Sequence, residues 1–162
     1  MLAAGPMLEF ISGDVLKTKE RYLAQGVAEG NQEGLGTGLA LKISRLWPDV
    51  QKAFKKHARS GRFRGGEIWC APPTNDRPGV LYLATQPDMY KACLPYLRKA
   101  LKKLRAWAEE HSIVSVAMPK IGAGLGKLSW AKQVKPLLVE ILDSSTCRFV
   151  VSEDFREGDL DA

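Results

Sequence analysis

The apolar positions fall into short runs of four to eight residues and longer stretches spaced at three and four, the alternation expected of strands and helices in turn. Leu8 to Ile11 is a short, mostly apolar run closed by Ser12, Gly13 and Asp14, and reads as a first strand with its turn. A charged stretch, Lys17 to Arg21, precedes Tyr22 to Val27, which reads as a second, buried strand. Residues 29–38 then hold four glycines, Gly30, Gly34, Gly36 and Gly38. They run straight into Leu39, Ile43 and Leu46, which share one helical face, and Pro48 suits the first position of another helix reaching about Arg59. Glu67 to Ala71 and Val80 to Ala84 read as a strand pair around the proline- and glycine-containing segment 72–79.

The second half repeats the alternation. Leu97, Leu101, Leu104 and Ala108 recur at helical spacing, with Arg98, Lys99, Lys102, Lys103 and Arg105 on the remaining face. Ile113 to Ala117 has the continuous apolar character of a buried parallel strand. Met118 to Lys127 forms a second glycine loop; Trp130, Val134, Leu137, Leu138 and Ile141 mark a further helix, which Pro136 is expected to kink or to delay. Thr146 to Val151 is the last strand. Strands alternating with helices predict one α/β domain with helices on both faces of its sheet.

Composition narrows the partners. At 162 residues the chain has the length of one domain and buries roughly 70% of its unfolded surface, enough for a core without staples. With 45% hydrophobic and 26% charged residues it is globular in character, and it is expected to remain in the cytoplasm without a membrane-spanning segment. Cys70, Cys93 and Cys147 are too widely spaced for a metal or redox pair and read as reduced thiols. His57 and His111 lack plausible companion ligands, so neither metal chemistry nor a histidine-dependent nucleophile is expected. The net charge is +6, but residues 153–162 hold five acids against Arg156, so the rest of the chain, with 23 bases and 13 acids, carries +10. A basic body favours anionic partners, from a nucleotide to a nucleic acid.

Three segments carry the candidate chemistry. Gly34-Leu-Gly-Thr-Gly38 opens a helix, where closely spaced glycines let backbone N–H groups converge on an anion; no Walker lysine follows. Residues 118–127 place a second glycine loop after another strand, and two such loops at strand ends can line one crevice. Gly13 and Asp14 close the first strand, where a carboxylate can accept a hydrogen bond from a base amino group or cap a turn.

In this order and spacing the three segments resemble the macrodomain family of ADP-ribose-binding modules, over about residues 8 to 151. The matching stretches are Phe10-Ile-Ser-Gly-Asp14, Gly34-Leu-Gly-Thr-Gly-Leu-Ala40 and Met118-Pro-Lys-Ile-Gly-Ala-Gly-Leu-Gly-Lys-Leu-Ser-Trp130; they look most like the terminal ADP-ribose protein glycohydrolase class, which includes the antitoxin macrodomain that strips ADP-ribose from DNA bases. The resemblance implies a three-layer α/β/α fold with a mixed central sheet over residues 7–152 and an acidic tail at 153–162. It implies that Asp14, between Gly13 and Val15, contacts the adenine amino group. It places Gly34, Leu35, Gly36, Thr37 and Gly38 around the distal ribose and one phosphate. It sets Ile121, Gly122, Ala123, Gly124, Leu125 and Gly126 against the diphosphate, flanked by Pro119 and Lys127. No metal or cofactor is implied, and a monomer is expected.

Two positions depart from the class. Gln86 stands where the class carries a lysine that attacks or orients the anomeric carbon, and Gly126 replaces an aspartate that some members carry in the last loop. Gln86 can hydrogen-bond a ribose hydroxyl but is no nucleophile. Glu33 becomes the best-placed carboxylate for positioning water, with Asn31 and Gln32 as ligands to water or ribose, while Asp88 is a local base or a helix cap. The expected activity is hydrolysis of the bond between ADP-ribose and a modified protein or nucleic acid. A non-catalytic reader of ADP-ribose and a phosphatase acting on ADP-ribose 1''-phosphate are the alternatives. Lys52, Lys55, Lys56, Arg59, Arg62 and Arg64 occur with no acid between them and form either a solvated face or a nucleic-acid contact. Tyr90 is the aromatic residue best placed to stack on a base; Trp47, Trp69, Trp107 and Trp130 read as packing residues.

Overall fold

A computed structural model describes residues 7–30, 35, 38–124 and 126–153. Six strands, β1 (Leu8–Ile11), β2 (Tyr22–Ala28), β3 (Ile68–Ala71), β4 (Gly79–Gln86), β5 (Ser115–Met118) and β6 (Arg148–Ser152), form one sheet in the order β1-β6-β5-β2-β4-β3. All neighbours are parallel except the edge strand β3, which runs antiparallel to β4, so the sheet is mixed.

Four helices cover it: α1 (Gly38–Leu46), α2 (Pro48–Arg59), α3 (Leu94–Glu110) and α4 (Lys135–Leu142). Strand side chains alternate between faces, which splits β4 cleanly. Its Leu81 and Leu83 pack with Leu97, Leu101, Leu104, Leu138 and Ile141 of α3 and α4, while Val80, Tyr82 and Ala84 pack with Ile43, Val50 and Phe54 of α1 and α2. Seven of the eight β4 residues are buried, the signature of a strand covered on both faces. Each fully buried Leu or Phe in these layers contributes about 1.5–3 kcal/mol by leaving water. Phe54 anchors the second layer, with edge-to-face contacts to Phe63, Trp69 and Tyr82 at 4.9–5.1 Å. All four tryptophans are half-buried in packing contacts rather than displayed.

Local signals account for the elements, and several boundaries differ from expectation, β4 running longer than the expected Val80 to Ala84. The strand expected at 113–117 begins at Ser115, because Ser112 takes a left-handed conformation (φ 53°) and the Ile113 N–H bonds back to the Ala108 carbonyl to close α3. That leaves Val114 83% exposed, an apolar residue spent on a connection. Glu67 lies outside β3, although its carbonyl accepts from the Ala84 N–H, and the last strand starts at Arg148 rather than Thr146. Pro136 delays the helix it was expected to disturb: Trp130–Val134 forms a π-helical turn, and α4 begins at Lys135, so the proline falls in a first turn where its missing N–H costs nothing. Ser129 starts that turn with its hydroxyl accepting from the Lys132 N–H.

Helices α1 and α2 stand over β2 and β4 but leave the β1–β6 half of their face to the connection 12–20. Between that connection and the sheet lies a cavity of about 350 Å³. Among the described residues, no helix is long and apolar enough to cross a membrane.

Candidate active site

The carboxyl ends of β2 and β5 carry the roots of the two glycine loops and that of β4 carries Gln86, whereas Gly13 and Asp14 follow β1, farther along the sheet. The second glycine loop leaves β5 through buried Pro119 and folds on itself. The Ile121 N–H donates to the Pro119 carbonyl at 2.7 Å, Ala123 N–H to Lys120 at 3.0 Å and Leu128 N–H to Gly122 at 3.0 Å. Gly122 reverses the chain at φ 78°. Gly126 is required for a different reason: a Cβ there would lie 2.6 Å from the Gly122 carbonyl oxygen and 2.9 Å from the Ala92 Cβ. Among the described residues, the N–H groups of Gly122, Gly124 and Gly126 take no part in the loop's own hydrogen bonds, whereas Ile121 and Ala123 are engaged in its turns. Of these three, Gly124 is exposed with open space around its Cα, Gly122 is half-buried and Gly126 is buried.

This loop is locked to its neighbours. Gly26 of β2 faces Ile121 and Thr85 so closely that a Cβ would lie 3.2 Å and 2.5 Å from them. The segment after β4 is tied twice, by Cys93 N–H to the Thr85 carbonyl and by Ala92 N–H to the Gly126 carbonyl. The first glycine loop springs from the same edge: Glu29 N–H donates to the Gln86 carbonyl at 2.8 Å and Gly30 N–H to Phe63 at 2.5 Å. Leu35, 1% exposed, packs in the same core cluster as Leu39, and the chain enters α1 at Gly38 with φ 56°. Asn31, Glu33, Gly34, Gly36, Thr37 and Leu125 lie outside the described residues.

Gln86 sits at the end of β4, where β2 carries a bulge at Val27 and Ala28. Its amide donates to the Asp88 carbonyl at 3.0 Å, and the Asp88 carboxylate accepts from the N–H groups of Tyr90 and Lys91. Asp88 is thereby a turn cap. Lys127 is exposed and held at φ 65°, a conformation that favours glycine. Tyr96, in the first turn of α3, donates its hydroxyl to Glu29; that bond to a carboxylate holds the phenol above its ordinary pKa.

Asp14 takes the capping role and also lines a cavity. Its carboxylate accepts from the Leu16 N–H at 2.9 Å, capping a single 3₁₀ turn over Val15–Lys17, and the residue lines the 350 Å³ cavity with Gly13, Ile11 and Ser152. Val15 is buried in the core under it, and Gly13 turns at φ 127° with nothing within 4 Å of its would-be Cβ. The cavity floor is charged: Arg148 bridges Glu9 at 3.2 Å and Glu20 at 2.8 Å, and Ser115 donates to Glu20. Neither these floor residues nor the Ala92–Gly126 lock carries a local motif, since each is assembled by pairing strands far apart in sequence.

Burial pushes the Cys70 thiol up to about 11 and Cys147 up to about 12. At pH 8 only about one Cys70 in a thousand is then a thiolate. In a thiol-exchange assay of the folded protein, at most one of the three cysteines should react rapidly, and three rapid equivalents would contradict this burial. Among the described residues, no three His, Cys, Asp or Glu side chains gather to hold a metal.

Residues 28–136 match the Macro domain family. The chain belongs to that family. This macrodomain is 29% identical over 142 residues to the DNA ADP-ribosyl glycohydrolase of Thermus aquaticus, covering 85% of the chain and 38% of that protein. It thus spans little more than a third of that relative's length. Against the ADP-ribose glycohydrolase OARD1 of Homo sapiens it is 23% identical, with 91% of each chain covered. In three dimensions it superposes on the macrodomain of Thermus aquaticus DarG with a TM-score of 0.81 and 28% identity, covering 92% of this chain and 99% of that one. The α/β/α layering and mixed sheet are those of the family.

Proposed function

We propose that this macrodomain binds ADP-ribose across the carboxyl edge of its sheet and hydrolyses the link between ADP-ribose and a modified macromolecule. The observation that carries the reading is that the two glycine segments follow neighbouring strands, β2 and β5, and that in the second the N–H groups of Gly122 and Gly124 stay outside the loop's own hydrogen bonds among the described residues. Converging amides of this kind hold a diphosphate without a lysine. The names of the Thermus aquaticus and human relatives, both ADP-ribosyl or ADP-ribose glycohydrolases, point the same way. In this reading the Asp14 carboxylate takes the adenine amino group, residues 34–38 wrap the distal ribose and Lys127 screens the diphosphate from the rim. The protein acts as a cytoplasmic monomer.

Hydrolysis breaks the bond between the anomeric carbon and the acceptor. Water supplies the hydroxyl group to that carbon and a proton to the departing acceptor, while positive charge develops on the ribose. With glutamine at position 86, Glu33 orients the water and Asn31 helps hold it. Glu33→Gln should leave ADP-ribose affinity within twofold of the parent and lower turnover at least tenfold, as read by calorimetry and by release of ADP-ribose. Equal rates would remove Glu33 from the reaction.

One specific feature favours a second reading, that of a reader which binds without cleaving. Gln86 is not a nucleophile, its amide is committed to the Asp88 carbonyl, and the loop has closed around Gly126. Offering the protein glutamate-, serine-, arginine- and DNA-linked ADP-ribose decides between the two. Binding of free ADP-ribose with no cleavage of any of the four would establish the reader.

A further inference from the structure

We propose that Glu153 is a positioning residue that sets the spacing between the two halves of the cleft, holding the segment of Asp14 and the second glycine loop at the separation a nucleotide sugar requires. The proposal rests on the ADP-ribose reading above and adds to it the group that keeps the two subsites in register.

The first observation comes from the order of the strands. Gly13 and Asp14 follow β1, the second glycine loop follows β5, and β6 lies between them. The gap between the two segments is therefore governed by what stands at the end of β6. Ile11 lies opposite Ser152 in the parallel pairing, and both line the cavity beside Asp14. The next residue is Glu153, whose N–H donates to the Ile11 carbonyl at 2.8 Å. Its backbone thus belongs to the base side of the cleft.

The second observation is where the side chain goes. The Glu153 carboxylate accepts from the Trp130 indole N–H at 3.1 Å and from the Lys135 ammonium at 2.6 Å. Trp130 stands two residues beyond Leu128, whose N–H closes the second glycine loop on the Gly122 carbonyl, and it follows Ser129, which caps the π-helical turn. Lys135 opens α4. Both donors are gathered on β1: the Phe10 ring meets Trp130 edge-to-face with centroids 6.1 Å apart and lies under the Lys135 ammonium at 4.4 Å. Lys135, the indole and, more weakly, Lys120 of the glycine segment hold the Glu153 carboxyl below the usual carboxylate range.

One residue therefore ties the end of β1 to the exit of the glycine loop. With the side chains of Lys135 and Glu153 39% and 33% exposed, the ion pair itself contributes little to stability. Its consequence is geometric. A ligand gripped at two subsites gains from the linkage between its halves only where the sites stand at the span of that linkage. Adenine and diphosphate are joined through one ribose, a short span, so a change of spacing is felt by ADP-ribose and by neither half alone.

The test compares ADP-ribose with adenosine and inorganic pyrophosphate, each of which occupies one half, on the full chain. Glu153→Ala should weaken ADP-ribose at least tenfold by calorimetry. The amide shifts that adenosine produces at Gly13 to Val15, and pyrophosphate at Gly122 to Lys127, should titrate within twofold of the parent. Trp130→Phe, which keeps an aromatic ring against Phe10 and removes the N–H donor, should weaken ADP-ribose several-fold with the same split. Glu153→Gln retains an oxygen for both donors and should return the affinity to within threefold of the parent. Parental ADP-ribose affinity in Glu153→Ala and Trp130→Phe, a parallel loss of both fragments, or a glutamine variant as weak as the alanine one would overturn the proposal. Absence of ADP-ribose binding in the parent protein would instead overturn the reading on which it rests.

Discussion

Gly126→Asp is expected to lose at least tenfold in ADP-ribose affinity and to unfold several degrees lower than the parent. The substitution puts the class aspartate back at the position where this chain has dropped it, so the resemblance alone would lead one to expect a gain in turnover. The packing predicts the opposite. A Cβ at residue 126 meets the Gly122 carbonyl oxygen at 2.6 Å and the Ala92 Cβ at 2.9 Å, and the former is backbone, which yields only if the loop opens. Overpacking of this kind costs about 2 kcal/mol, or roughly 6 °C in a domain of this length. Opening the loop also breaks the bond from Ala92 N–H to the Gly126 carbonyl and displaces the amides of Gly122 and Gly124. Ala92→Gly should rescue the variant only in part, because it relieves the second contact and not the first. A folded Gly126→Asp protein with raised turnover would show that the loop has room for the carboxylate and that its closure is not a fixed feature.

The second large effect is at Asp14. Asp14→Ala should weaken ADP-ribose binding by about 1–3 kcal/mol, between about fivefold and 150-fold, as expected when a charged hydrogen bond is lost. The same change removes the cap on the Leu16 N–H, at a cost of about 1 kcal/mol in stability. Asp14→Asn separates the two effects, since asparagine caps as well as aspartate but presents no carboxylate to the adenine amino group. Its melting temperature should match the parent while its affinity remains low. Parental affinity in both variants, measured by calorimetry, would confine Asp14 to the cap.

How much of this was legible in the sequence follows from the range of each interaction. The two glycine loops, the strand before each and the helix after the first were readable because their signals are local: glycine spacing, apolar runs and Pro48 at a helix start. The early end of the regular pattern before Ser115 was not, because Ile113 is as apolar as a strand residue and only its hydrogen bond back to Ala108 assigns it to the helix end. Asp14 was legible as a turn residue, whereas the cavity it lines is floored by Glu9, Glu20 and Arg148, which pairing of β1 with β6 brings together across more than a hundred residues. The loss of the class aspartate could be seen in the letters. That the space for it has closed against Ala92 could not, since Ala92 reaches Gly126 only through the segment that follows β4.

Amide chemical shifts recorded while ADP-ribose is added test the central claim most directly. Saturable changes are expected at Gly13 to Val15, at Gly34 to Gly38 and at Gly122 to Lys127, with the amides in the carboxyl-terminal half of α3 and in α4 unmoved. Shifts centred on any other surface, or none at millimolar nucleotide, would contradict it.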